Sequence, residues 1–500
     1  MSIRGTIKNV ILIVMDDVRA NHLFDLIKSG KVPNIANLAN NGTFCQNCVT
    51  SYPSITFPSY SNIIIGAYSG YYPIQGSGIP QYHYVKRTDP PSSGERYPKI
   101  ISCGAGSLRK LNRDIGSNCK TIFEQAGEGE FLSSMSTISR GSVQISPNPY
   151  TTEMILKNVE TAFKSPKEYQ FSEAPKVTVA YIIQTDSLMH KLGFDHPEYT
   201  NEILKADAGI GKLIKTLKET NYYDSTAIAI ISDHGNFKAK HMYDLAPFFD
   251  KVGLKQYNPK KGTGDFDVNI GSVGFLNFPG KNWHQHPTIS QLEEFNLRSK
   301  GKINIFDMLW RIPGTKYMYY KDDNCTPDRG TIHIRYRDEQ VSIHEAKIEY
   351  EGHGKNQKTK YVFNDLDVFG YDLNRDTAAI LDGKAHDIND WLKRTNHVDF
   401  PMIVDQIPRY FKNPRTCDII ISNLGEYGFN YEHGKTVGNS PYIHDICLRK
   451  SMIVPFIIGG SPEIPIKELA YCKTTDMVPT LLHLLGETPD KSVVGKSIIN

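Results

Sequence analysis

Three stretches share one pattern, an unbroken apolar run that stops at a cluster of polar side chains: VILIVMDD (10–17), VTVAYIIQTD (177–186) and TAIAIISDHG (226–235). Runs without polar alternation are expected of parallel strands covered on both faces. Open α/β sheets bind ligands beyond the carboxyl ends of such strands, so the shared ending points to a site. Between the second and third runs, Ile203, Ala206, Ile210, Leu213 and Leu217 recur at three- and four-residue intervals and predict an amphipathic crossover helix. CDIIIS (417–422) and SMIVPFIIGG (451–460) read as two more strands of the same core, and TTDMVPTLLHLLGE (474–487) as its closing helix. From roughly 260 to 400 the pattern changes to half-polar segments of period two, such as TIHIRYRD and SIHEAKIEYEG, separated by turns. The expected architecture is α/β: a three-layer α/β/α core with a mostly parallel central sheet, built from 1–260 and 400–500, plus an inserted α+β cap over 261–399.

Composition narrows the function classes. With 39% apolar and 22% charged residues among 500, the chain can bury a sizeable core. A formal charge of +3 with no cluster of Lys and Arg gives no reason to expect stable nucleic-acid binding or a membrane surface. The apolar run Val10–Met15 is shorter than that of a signal peptide, and no stretch approaches the roughly 20 apolar residues of a membrane span. Eight cysteines in so long a chain are too sparse for a disulfide scaffold and read as mostly reduced, so the expected compartment is the cytoplasm. Oligomeric state is not legible.

The strand ends carry the candidate chemistry. Asp16 and Asp17 suit either a helix cap or a metal ligand. Asp186 and His190, four residues apart, reach one point if a helical turn follows the strand, and one hard oxygen with one imidazole suits zinc. Asp233 and His234 are consecutive; as diverging strand side chains they would address two metals, and as a buried pair they would hold one another. Gly235 permits a tight turn. In SYPSITFPSY (51–60), Thr56 is a good N-cap with Pro58 in the first turn, and the same geometry offers an exposed hydroxyl where helix N–H groups attract phosphate. A threonine hydroxyl is a poor nucleophile until a metal eases loss of its proton. No G-x-S-x-G elbow supports a serine triad. Cys45 and Cys48 lack the partners of a zinc knuckle, the glycines around 76–78 and 104–106 read as turns, and the tyrosines of 68–85 either as packed surface or as lining of a substrate pocket.

Taken in order, strand-Asp, Thr-Phe-Pro, Asp-Ser-x-x-His-Lys and Ser-Asp-His-Gly resemble the alkaline phosphatase superfamily, in particular its type I phosphodiesterase and nucleotide pyrophosphatase branch. FPMIVDQIPRYFKNPRTCDIIISN (400–423) and the closing helix extend the likeness over most of the core, while within the cap only DLDVFGYD (365–372) shares it. The resemblance implies two divalent metal ions about 4 Å apart, zinc first and manganese or another divalent ion as alternatives. It assigns one to Asp16, Asp233, His234 and the Thr56 oxygen, the other to Asp186, His190 and a late histidine. His444, eleven residues before Pro455, has the family's spacing, whereas His433 has the following glycine without the distance. Asp445 stands where glycine is usual. Tyr82, or Gln81 beside it, stands near the place of an asparagine that binds a phosphate oxygen in relatives. The implied activity is hydrolysis of a small-molecule phosphate ester, a nucleotide among the candidates, through phosphorylated Thr56. A phosphomonoesterase, a phosphonate hydrolase or a phosphoryl-group transferase would use the same site, and a non-catalytic binding module is the reading from another class. A sulfatase is disfavoured because its Cys/Ser-x-Pro-x-Arg motif is absent.

Overall fold

In the computed structural model the described residues are 7–71, 74–87, 96–102, 108–135, 137–297, 301–431 and 440–499. Four of the apolar runs form β1 (Asn9–Met15), β3 (Val177–Ile182), β4 (Thr226–Ile231) and β5 (Ile453–Gly460) of one sheet, which the more polar β2 (Thr43–Val49) joins. β1 lies between β4 and β3, parallel to both, so the three runs that share a polar ending are adjacent at one edge. Beyond β4 come β5 and β2, and beyond β3 the short strands Phe131–Ser133 and Val143–Gln144. β5 runs antiparallel to both of its neighbours.

Strand alternation sorts the β1 side chains into two layers. Ile11, Ile13 and Met15 join a cluster with Ile203, Ala206 and Ile210, while Val10, Leu12 and Val14 pack with Tyr60, Ile63, Ile64, Val478 and Leu481. Both faces of the strand are therefore buried, which is why it reads as continuously apolar. The first layer includes the crossover helix Pro197–Glu219, whose buried face carries the predicted residues and whose fixed-φ Pro197 opens its first turn. The second includes α1 (Thr56–Ile65) and the closing helix Met477–Leu484. At about 1.5–3 kcal/mol per fully buried aliphatic side chain, these two faces hold the site's frame in place.

The region of period-two patterning forms a second sheet of eight strands with antiparallel pairing, including Arg329–Arg337 and Ile343–Glu351 in full register. The strand expected in the main sheet from CDIIIS belongs here instead: Ile419–Ser422 pairs with Gly274–Asn277 and Tyr317–Lys321. An apolar run reports burial on both faces and is silent on which sheet supplies it. Here Ile419 and Ile421 face a separate apolar cluster, while Ile420 faces the cluster that also holds the β1 side chains Ile11 and Ile13. Among the described residues no helix is long and apolar enough to cross a membrane.

Candidate functional site

Each candidate side chain is delivered by an element that ends or begins at the carboxyl edge of β4, β1 and β3. β1 stops at Met15, exposing Asp16 and Asp17 to that edge, and β4 stops at Ile231, three residues before His234. α2 (Gln184–Leu192) starts two residues after β3, which stacks Asp186 and His190 one helical turn apart. His444 comes from the segment before β5. The N-cap of α1 is Ile55, in extended conformation, so Thr56 is the first helical residue and makes no side-chain cap, contrary to the capping expectation. Its Oγ1 stands 3.2 Å from His234 Nε2 instead.

These residues form two groups, each with ligand atoms within 4.8 Å of one another: Asp16, Asp233 and His234, all buried, and Asp186, His190 and His444, half-buried. Asp233 and His234 thus stand in one group and do not diverge toward two. The strand has already ended, and the turn back, with the His234 amide donating to Asp233 Oδ1 at 3.0 Å, removes the alternation of strand side chains.

The carboxylates of the buried group are half-satisfied in the same way. Asp233 Oδ1 accepts from the amides of Asp17 and His234, at 3.1 and 3.0 Å. Asp16 Oδ2 accepts from the hydroxyls of Tyr60 and Tyr181, at 2.7 and 2.5 Å. Asp16 Oδ1, Asp233 Oδ2 and Asp186 Oδ1 are buried and take no hydrogen bond. Buried carboxylate oxygens without donors are costly, and a cation is the partner that fits this donor set.

The imidazoles repeat this logic. Nδ1 of His190 stands 2.8 Å from the Tyr442 carbonyl, Nδ1 of His444 3.2 Å from that of Ser54, and Nδ1 of His234 3.3 Å from that of Gly235. Each Nδ1–H is placed to donate to a carbonyl, so that in the neutral ring Nε2 is the nitrogen left for a ligand. His444 stacks on His234 with ring centroids 3.9 Å apart and lies 5.2 Å from His190, so both groups border one space.

Charge is concentrated there. Burial, then Asp233 and Asp186, push the Asp16 carboxyl well above its ordinary range. Burial opposes protonation of His190, but the Asp186 carboxylate 3.2 Å away outweighs it and raises the imidazole to about 9. Burial and the neighbouring His234 and His190 drive His444 down. Dications would relieve these conflicts together, since they favour both carboxylate and neutral imidazole.

The sequence profile of the family described as Type I phosphodiesterase / nucleotide pyrophosphatase matches residues 10–444. The chain belongs to that family. A venom phosphodiesterase of Crotalus durissus collilineatus is 24% identical over 407 residues, 78% of this chain and 47% of the relative. An uncharacterized pyrophosphatase/phosphodiesterase of Schizosaccharomyces pombe is 25% identical over 45% of this chain and 44% of the relative. Human ectonucleotide pyrophosphatase/phosphodiesterase family member 1 is 26% identical over 45% of this chain and 23% of the relative. The chain spans about half the length, or less, of these curated relatives.

Several features of this phosphodiesterase-family site escaped the sequence. Tyr60 lies one helical turn beyond Thr56, a spacing that was available to read, whereas Tyr181 reaches Asp16 only because its strand pairs with β1. Gly235 is required by close approach and not by a turn, because a Cβ there would sit 2.6 Å from the Lys450 carbonyl oxygen. At Asp445, where the resemblance implied glycine, φ is +75°, a conformation glycine adopts freely; aspartate tolerates it and its Oδ1 accepts from the Ser272 amide at 2.8 Å. Tyr82 is half-buried with its ring 5.4 Å from that of Phe57, next to Thr56. Gln81 is buried, donates to the His83 carbonyl at 2.8 Å and accepts from the Tyr410 hydroxyl. Cys48 pairs in register with Cys472, a neighbour its spacing with Cys45 could not reveal. His433 and the glycines at 104–106 lie outside the described residues.

Proposed function

We propose that the chain hydrolyses phosphodiester or pyrophosphate bonds of small-molecule substrates, nucleotides foremost, with Thr56 as nucleophile. The reading is carried by one observation: the oxygens of Asp16, Asp233 and Asp186 that take no hydrogen bond belong to two ligand groups, one of which Thr56 joins through His234. Asp16, Asp233, His234 and Thr56 would hold one divalent ion, zinc for preference, and Asp186, His190 and His444 the other. Such ions, when bound, supply charge to a phosphoryl group and lower the pKa of a hydroxyl.

Thr56 Oγ1 attacks phosphorus in line, the new O–P bond forms as the bond to the leaving oxygen breaks, and the threonine proton ends on that leaving oxygen; water then displaces threonine from phosphorus and returns a proton to Oγ1. The first turn of α1 presents free N–H groups toward a phosphate seated at Thr56. Tyr60 and Tyr181 hold Asp16 against its neighbours. Tyr82 is the candidate donor to a phosphate oxygen, while the carboxamide of Gln81 is already engaged within the protein. The insert 261–399 is proposed as the cap that shapes substrate choice. The seven described cysteines are free thiols, six of them buried, in keeping with a cytoplasmic setting.

The test compares turnover of an aryl phosphodiester with that of the matching monoester, before and after chelation. Preferential, chelator-sensitive diester hydrolysis is expected. Faster monoester turnover would replace the diesterase by a monoesterase, and undiminished activity after metal removal would overturn the reading.

A further inference from the structure

One carboxylate at the site belongs to neither ligand group. Asp17 follows Asp16, is fully buried, and has φ of +59°. A left-handed backbone is met most simply by glycine, which would bury no charge. Aspartate tolerates it, but at the cost of desolvating a carboxylate, so the side chain needs partners that repay burial. Its Oδ1 accepts from Asn236 Nδ2 at 2.8 Å and stands 3.5 Å from His234 Nδ1, while Oδ2 takes no hydrogen bond. Asn236 also donates to the Asp17 carbonyl, as does the Tyr199 hydroxyl at 2.8 Å, so the residue is clamped from two sides. On the other edge of the same imidazole, Nε2 faces Thr56 Oγ1, Asp233 Oδ2 and Asp16 Oδ1 at 3.2, 3.4 and 3.6 Å. His234 Nδ1 lies between the Asp17 carboxylate and the Gly235 carbonyl at 3.3 Å, whereas the hydrogen bonds described for Nδ1 of His190 and His444 are to backbone carbonyls, with no carboxylate beside them among the described residues.

We propose that Asp17 is a positioning residue for His234: its carboxylate, acting beside the Gly235 carbonyl, favours the proton on Nδ1 and keeps the ring turned so that Nε2 points into the Asp16–Asp233 group. A carboxylate behind a ligating imidazole fixes its tautomer and raises its basicity. The effect is confined to the cation held by Asp16, Asp233 and His234, because Asp17 has no counterpart behind His190 or His444. This inference rests on the two-cation reading above.

The experiment titrates metal-free full-length wild type, Asp17→Gly and Asp17→Asn with zinc against a chromophoric chelator, and follows the His234 ring nitrogens by 15N NMR. Glycine keeps the left-handed backbone without the carboxylate, and asparagine keeps an oxygen acceptor. The expected result is two zinc ions on wild type. Asp17→Gly should bind one of them about 10–100-fold more weakly and leave the other unchanged, with Asp17→Asn recovering most of the loss. In the neutral, metal-free ring, wild type should carry the proton on Nδ1 of His234, and Asp17→Gly should show a mixture of tautomers. Unchanged zinc affinities and tautomer in Asp17→Gly would overturn the positioning role alone. Equal losses in both variants, with an equal drop in metal-free thermal midpoint, would reduce Asp17 to a structural part. A wild type that takes up no zinc would overturn the two-cation reading itself.

Discussion

In metal-free protein, raising the pH should release a stabilisation held by one pair of side chains. Asp186 Oδ1 lies 3.2 Å from His190 Nε2, with the two side chains 20% and 16% exposed. Burial by itself would lower the imidazole, but the adjacent carboxylate prevails and lifts it from 6.5 to about 9. A histidine whose folded pKa exceeds its unfolded value contributes its full stabilisation below about 6.5 and loses it as pH climbs to about 9. The rise corresponds to about 3 kcal/mol in metal-free protein. Zinc reverses the requirement, because a ligating imidazole must be neutral, so the loaded protein should not show this loss and its zinc affinity should rise with pH over the same window. The assay is equilibrium urea unfolding from about pH 6 to about pH 10 on chelator-treated wild type and His190→Gln. Lys412, brought down to about 7 chiefly by burial, titrates in this window with the opposite sign, so the quantity to read is the difference between the two proteins. That difference should shrink by about 3 kcal/mol across the range. A difference that stays constant would refute the electrostatic account of the pair.

Thr56→Ala should cut turnover by at least about 1000-fold. Because Oγ1 does not cap its helix, unfolding should change by no more than about 0.5 kcal/mol; a large loss of stability would mean the hydroxyl is structural. Gly235→Ala places a Cβ 2.6 Å from a backbone carbonyl and should cost about 1–3 kcal/mol in urea unfolding while disturbing His234 next to it; a wild-type midpoint would contradict the close approach. Lys473 Nζ and Asp476 Oδ1 pair at 2.6 Å with both side chains 1% exposed. Asp476→Ala strands a buried ammonium and should cost about 3–5 kcal/mol by thermal unfolding, a loss that would be absent if water reached Lys473.

Much of this protein is legible along the chain because local sequence and final environment agree. The runs at 10–15, 177–182 and 226–231 are apolar throughout since both faces of each strand are covered, and the polar cluster after each marks the edge where the sheet stops. The four-residue step from Asp186 to His190 is a helical step, readable wherever a helix forms. What the chain could not state by itself is adjacency. Which strands are neighbours depends on pairing between segments far apart in the chain, and only that pairing brings Tyr181 to Asp16 and Ile419–Ser422 to the second sheet. The half-satisfaction of Asp16 and Asp233 is likewise a tertiary fact: one oxygen is met by a tyrosine or an amide from another element, the other is left facing the shared space. Sequence alone supplies the donors and their order, because those depend on covalent spacing and local periodicity. The fold decides which oxygen of each carboxylate is free and which nitrogen of each imidazole faces inward, because those depend on what every other element has placed alongside.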